Sequence, residues 1–263
     1  MITGAIIGDI VGSRFEWLNI KSKEFPFWEK SCQYTDDTVM TLAIAEALMN
    51  ADETYSDLSE CAVQSMQRLG REFKKAGYGG LFRRWLKSDN PQPYGSFGNG
   101  SAMRVSPCAY VAKSPEQVKE LSYLVTAVTH DHEEGIKGAE AVAVAVYLAR
   151  TGSPMQEIRQ YIEEHYYTLD FTLDGIRNDY KFNATCQGSV PQALQAFFES
   201  NSFEDAIRNA ISIGGDSDTI AAICGSVAGP FYSIPPAHYN QAMTYLPPEL
   251  KSIISRFNEK YGS

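Results

Sequence analysis

Two short stretches hold residue types that can bind a hard cation and support hydrolysis. One is Gly214-Gly215-Asp216-Ser217-Asp218-Thr219; the other is Tyr34-Thr35-Asp36-Asp37-Thr38. Each runs directly into an apolar segment, Ile220 to Ala228 in the first case and Val39 to Met49 in the second. These segments read as helices, so both acidic clusters sit at helix N-termini. A carboxylate there can simply cap free N–H groups. One cap needs one side chain, however, and each cluster supplies several. Asp36 and Asp37 project about 100° apart on a helix and cannot both serve one cap. They can each reach a different cation, or bridge two. Four carboxylates brought together without cations would repel, and some would stay protonated. Together with two threonines they make an oxygen shell for two hard cations, which suits Mg2+ or Mn2+, with Ca2+ possible. Zinc favours Cys or His, and neither occurs in the clusters.

Other candidates are less specific. Asp9 and Glu16 lie seven residues apart near the start of the chain; on sequence alone Asp9 reads as a satisfied polar group and Glu16 as a surface carboxylate. The run Gly95-Ser96-Phe97-Gly98-Asn99-Gly100 precedes a helix expected from about Ser101, and glycine loops that feed a helix often cradle anions. Arg104, one turn further on, reads as a structural ion-pair partner. The His130-x-His132 pair has strand-like spacing at a helix end, which argues against zinc; a single His at the helix end pointing into a cleft is the better reading.

The elements that must position these groups are all helical. Glycines at 4, 8 and 12 share one face of the first helix and permit very close packing against a neighbour. The aromatic loop at 16–28 could cover a cleft. Helical patterning continues over 56–88, 115–129, 134–151, 154–167, from 188, from 202 and near 249–261, with the basic residues Lys74, Lys75, Arg83, Arg84 and Lys87 on a solvated face. Residues 168–186 are the least regular stretch. No strand pattern and no repeat stands out. The expectation is one all-α domain over 1–263, since the acidic clusters lie about 180 residues apart and must converge.

Composition narrows the function. The chain has 263 residues, 44% of them hydrophobic, and a formal net charge of −9. That charge argues against binding to nucleic-acid backbones but allows a small anionic ligand held by N–H groups and cations. No apolar run approaches the ~20 residues of a membrane span. Asp9 interrupts the N-terminal apolar patch, so no signal peptide is expected. Five cysteines form no CxxC pair and read as reduced thiols, giving a cytoplasmic expectation. With no obvious exposed apolar stripe, a monomer is expected.

Six segments in order, GDIVGSRFE, YTDDT, GNGSAMRVSP, THDHEEGIKGA, GSVPQALQAF and IGGDSDTIAAICGSVAG, resemble the ADP-ribosylglycohydrolase family. The resemblance covers the chain from about residue 4 to 232. The resemblance implies an all-α orthogonal bundle with a binuclear Mg2+ or Mn2+ centre. By position it implies metal ligands at Thr35, Asp36, Asp37, Asp216, Asp218 and Thr219, and a catalytic carboxylate at Glu16. It also implies substrate contacts from Gly95 to Gly100 and at His130. The implied reaction is hydrolysis at C1″ of the distal ribose in an ADP-ribosylated protein or a small ADP-ribosyl conjugate. The alternatives are a non-catalytic ADP-ribose-binding or structural relative, and a two-metal phosphohydrolase.

Overall fold

A computed structural model describes residues 2–262. Its elements, in order, are α1 (Thr3–Gly12), a 3-10 turn (Ser13–Phe15), α2 (Asp36–Asn50), α3 (Leu58–Glu72), α4 (Gly80–Lys87), α5 (Pro107–Val111), α6 (Pro115–Thr126) and α7 (Glu133–Arg150). Then follow α8 (Met155–His165), α9 (Leu173–Ile176), α10 (Cys186–Phe198), α11 (Phe203–Ser212), α12 (Ser217–Tyr232), α13 (Pro236–Tyr245) and α14 (Pro248–Tyr261). The fold is all-α; the sole β feature among the described residues is an isolated bridge between Gly98 and Thr185.

The innermost pair is α1 against α12. Every residue of α1 is buried, as is α12 from Ser217 to Gly229. Their contact is backbone on backbone. A Cβ on Gly4 would lie 2.2 Å from Gly225 O, one on Gly8 2.0 Å from Ala221 O, and one on Gly12 2.6 Å from the Asp218 Cα. The glycine face thus does what its spacing predicts, and it draws Asp9 toward Asp218. The helices α7, α10 and α11 close around α12, while α3 and α14 flank α2. Gly8→Ala should cost about 3 kcal/mol or more, because rigid backbone blocks the methyl. Gly79→Ala should be near neutral, since nothing lies within 4 Å of its Cβ position. Urea midpoints of the two variants check the contrast.

Several boundaries differ from the sequence reading. The span 56–88 is two helices, α3 and α4, separated by a turn. No helix starts at Ser101: Ala102 and Met103 N–H both donate to Asn99 O, closing one turn, and α5 begins only at Pro107. Pro191 lies inside α10, whose cap is Thr185, accepting from Gly188 N–H at 3.1 Å. Of the aromatic loop, Phe25 and Phe27 are core residues, so only its first residues reach the cleft.

Candidate metal centre

The two acidic clusters meet at the N-termini of α2 and α12. Thr35 caps α2 by accepting from Asp37 N–H at 3.3 Å. Asp36 and Asp37 occupy the first turn, where the helix dipole favours negative charge. Ahead of α12, Gly214 (φ +67°) and Gly215 (φ +79°) adopt the left-handed conformation that glycine reaches without strain. A side chain on Gly215 would strike Tyr180, whose ring lies 2.3 Å from the Cβ position. Asn19 clamps this turn, accepting from Gly215 N–H at 2.8 Å and donating to Gly215 O at 3.0 Å. Three residues before Asn19 stands Glu16, so the clamp also fixes Glu16 beside Asp216. Sequence reading missed Asn19, since an exposed loop asparagine carries no signal of its own.

Six carboxylates converge: Asp9, Glu16, Asp36, Asp37, Asp216 and Asp218. Oxygens of Asp9, Asp37 and Asp218 lie within 4.8 Å of one another, and so do those of Glu16, Asp216 and Asp218. Asp218 belongs to both groups. Asp36 belongs to neither, though it lines the same cleft. The hydroxyl of Thr219 donates to Asp37 Oδ2 at 3.2 Å. Asn99 donates to Asp216 Oδ2 at 2.7 Å, tying the glycine loop to the acidic cluster.

Asp9 has a larger role than its sequence context suggests. It is fully buried and accepts from Thr35 N–H (2.9 Å), Thr35 Oγ1 (2.7 Å), Thr38 N–H (3.1 Å) and Thr38 Oγ1. A carboxylate on α1 thereby satisfies free donors at the start of α2. It is indeed a satisfied group, as read from sequence, and it also sits in the acidic centre. Thr35 spends its hydroxyl on Asp9 and does not line the cleft.

The charge balance decides whether a cation fits. Among the described residues, no lysine or arginine is salt-bridged to any of the six carboxylates. Burial, then neighbouring carboxylates, push Asp37 and Asp218 well above the ordinary range. Asp36 is pushed to about 7 by burial and Asp9, and Glu16 to about 7 by burial, Asp216 and Asp9. Asp37 Oδ1 is buried with no hydrogen-bond partner. An orphaned carboxylate oxygen among uncompensated acids is a donor set that fits a hard cation.

The cleft above these groups has a volume of about 470 Å³. Of the sequence-predicted contacts, Ser96, Gly98, Asn99, Gly100 and His130 line it. Gly95 and Phe97 do not. Gly95 turns away to donate to Asp131 at 2.6 Å, and the Phe97 ring, partly exposed, packs on His132 at 5.0 Å. His132 is the cap of α7, accepting from Glu134 N–H at 3.1 Å, which accounts for it without a metal. The irregular stretch 168–186 proves to be the brace of the glycine loop. Asn99 N–H donates to Ala184 O at 2.8 Å, and Cys186 N–H donates to Phe97 O at 2.9 Å. Its Phe182 stacks on the exposed Trp17 at 6.0 Å, beside Glu16 at the cleft mouth. Arg83 is exposed, as expected of its basic cluster, and also lines the cleft. One further correction concerns a basic residue. Arg104, expected in an ion pair, is buried and makes none among the described residues; it donates to Thr129 Oγ1 at 2.6 Å.

The ADP-ribosylglycohydrolase family model matches residues 1–262. The chain belongs to the ADP-ribosylglycohydrolase family. Among curated relatives of this family member, ADP-ribosylhydrolase ARH3 of Homo sapiens is 27% identical, over 89% of this chain and 84% of its own. ADP-ribosylarginine hydrolase Tri1 of Pseudomonas putida (strain GB-1) is 24% identical, over 89% of this chain and 70% of its own. A solved structure titled ADP-ribosylglycohydrolase-related protein complex superposes with a TM-score of 0.69 at 22% identity, over 96% of this chain and 93% of that one. This likeness shows that the two share a fold. No helix among the described residues is long and apolar enough to cross a membrane.

Proposed function

We propose that the chain is a divalent-cation-dependent glycohydrolase that releases ADP-ribose from a modified side chain or a small conjugate by hydrolysing the bond at C1″ of the distal ribose. The observation that carries this reading is the pair of carboxylate groups sharing Asp218 beneath a cleft walled by the glycine loop. Family membership and the names of the ARH3 and Tri1 relatives support it. Two cations, Mg2+ or Mn2+, would be held by Asp37, Asp216, Asp218 and Thr219, with Asp9, Thr35 and Asp36 supporting that shell. When bound, they would supply Lewis-acid polarisation and orientation of the ribose hydroxyls and of water.

The remaining work falls to the chain. Loss of the leaving group builds oxocarbenium character on the ribose. In the cation-free centre Glu16, half-buried at the mouth, holds its proton more tightly than usual, because burial and the acids beside it raise its pKa to about 7. It can give that proton to the departing atom or take one from water. Ser96, Gly98, Asn99, Gly100 and His130 orient the ADP-ribose, contributing position rather than chemistry. We read 1–263 as one catalytic domain acting as a monomer in the cytoplasm, where its five free cysteines stay reduced.

Release of free ADP-ribose from arginine-linked, serine-linked and O-acetyl substrates, each with Mg2+, Mn2+ or EDTA, tests the reading. Cation-dependent release from at least one substrate is expected. ADP-ribose binding without release from any would favour a non-catalytic module, and release of AMP or phosphate would indicate a phosphohydrolase.

A further inference from the structure

Arg104 is an unusual buried cation. It is 1% exposed and has no carboxylate partner among the described residues. Its Nη2 donates to Thr129 Oγ1 at 2.6 Å and to Val125 O at 3.4 Å. Its Nε has no acceptor, and its guanidinium lies 5.9 Å from the Phe82 ring centroid. Thr129 Oγ1 stands 2.7 Å from His130 Nδ1 and 3.3 Å from Thr126 O. The far nitrogen of that imidazole, Nε2, faces the glycine loop: a Cβ on Gly98 or on Gly100 would lie 3.6 Å from it.

We propose that Arg104 and Thr129 are positioning residues that hold the His130 proton on Nε2, where it serves as a hydrogen-bond donor to an anionic oxygen of the bound ligand. The ligand half of this rests on the ADP-ribose reading above; the tautomer is a property of the free protein. A threonine hydroxyl has one proton and two lone pairs. Arg104 occupies one lone pair of Thr129. The proton then chooses between His130 Nδ1 and Thr126 O, and Nδ1 is the nearer by 0.6 Å. A cation bonded to the hydroxyl oxygen polarises it into a stronger donor. The same positive charge disfavours an Nδ1–H aimed at that oxygen. Nδ1 therefore accepts, and in a neutral ring the proton resides on Nε2. The ring is neutral because burial, then Arg104, depress its basicity well below the ordinary value. The arrangement has a use. Six acids crowd one end of the cleft, and a fixed donor backed by a buried cation marks where ligand negative charge is welcome.

Long-range 1H–15N spectra of the full chain labelled at histidine report the tautomer directly, with the His130 signal assigned by its loss in His130→Gln. The wild type should show the proton on Nε2. Thr129→Val should give a mixture or the Nδ1 form and weaken ADP-ribose binding by about tenfold or more, the loss expected for one hydrogen bond to a charged acceptor. Thr129→Ser should restore both readouts. Folding of each variant is checked by melting temperature. A wild-type proton on Nδ1, or a Thr129→Val spectrum unchanged from wild type, would overturn the proposal. Should the wild type bind no ADP-ribose, the functional reading fails, and with it the ligand half of the proposal; the spectrum still decides the tautomer half.

Discussion

Glu16→Gln should lower turnover by about 10²–10⁴-fold, the range typical of a lost general acid or base. The substitution keeps the shape of the side chain and its hydrogen-bonding reach, and removes only the titrating proton. ADP-ribose affinity should change by less than about threefold, since an interaction confined to the transition state leaves ground-state binding intact. Glu16 also belongs to one of the two carboxylate groups, together with Asp216 and Asp218, so the variant separates two roles. Thermal stabilisation by Mg2+ or Mn2+ should survive it if Glu16 moves protons, and should shrink if Glu16 is a ligand. Turnover within a few-fold of wild type would end the assignment. The measurement pairs steady-state release of ADP-ribose with melting curves in EDTA and in cation.

The second large effect concerns cation-linked stability and the residue that the two groups share. With cations removed, the acids of the centre hold protons more tightly in the fold than in the unfolded chain. Where the native state binds more protons, stability falls as pH rises. The contribution is intact below the ordinary carboxylate pKa near 4 and is lost as pH climbs through the folded values, which for Asp36 and Glu16 lie at about 7. The protein in EDTA should therefore melt lower at pH 7.5 than at pH 5.5. Saturating Mg2+ or Mn2+ at pH 7.5 should raise the melting temperature by roughly 5–10 °C, given a cation at about 100 times its Kd and a domain of this size. Asp218→Asn should abolish that rise, because the residue serves both groups. In EDTA at pH 7.5 it should melt at or above the wild type, since asparagine is neutral without taking up a proton that the unfolded carboxylate has lost, while its oxygen can still accept from Thr219 N–H. A cation response preserved in Asp218→Asn would show that the shared carboxylate is not a ligand.

The acidic clusters were legible because their excess of oxygen ligands sits next to strongly helical runs, and the glycine face because a spacing of four survives translation into any α-helix. What stayed hidden depends on distant partners. Asp9 is defined by donors on Thr35 and Thr38, which only the folded chain brings to it. Residues 168–186 show no long periodicity because they hold only the single turn of α9, and their end hydrogen-bonds to the glycine loop through Ala184 O and Cys186 N–H. The helix expected at Ser101 failed because Asn99 O takes two N–H groups in one turn and Pro107 restarts the chain. Gly95 and Phe97 matched the motif by position, yet local bonding to Asp131 and packing on His132 carry them off the cleft wall. Arg104 was misread for lack of any sequence sign that its partner would be a hydroxyl.

The contact between α1 and α12 has a consequence for biosynthesis. All ten residues of α1 are buried in the finished protein, and its glycine face is filled by the backbone of a helix that begins at Ser217. The ribosome makes α1 first and α12 more than 200 residues later. At ~5–20 residues per second, the apolar helix α1 waits on the order of 10–40 s for its partner. During that interval it is a natural client for chaperones, and any transcript truncated before residue 217 would release a chain that no later event can close.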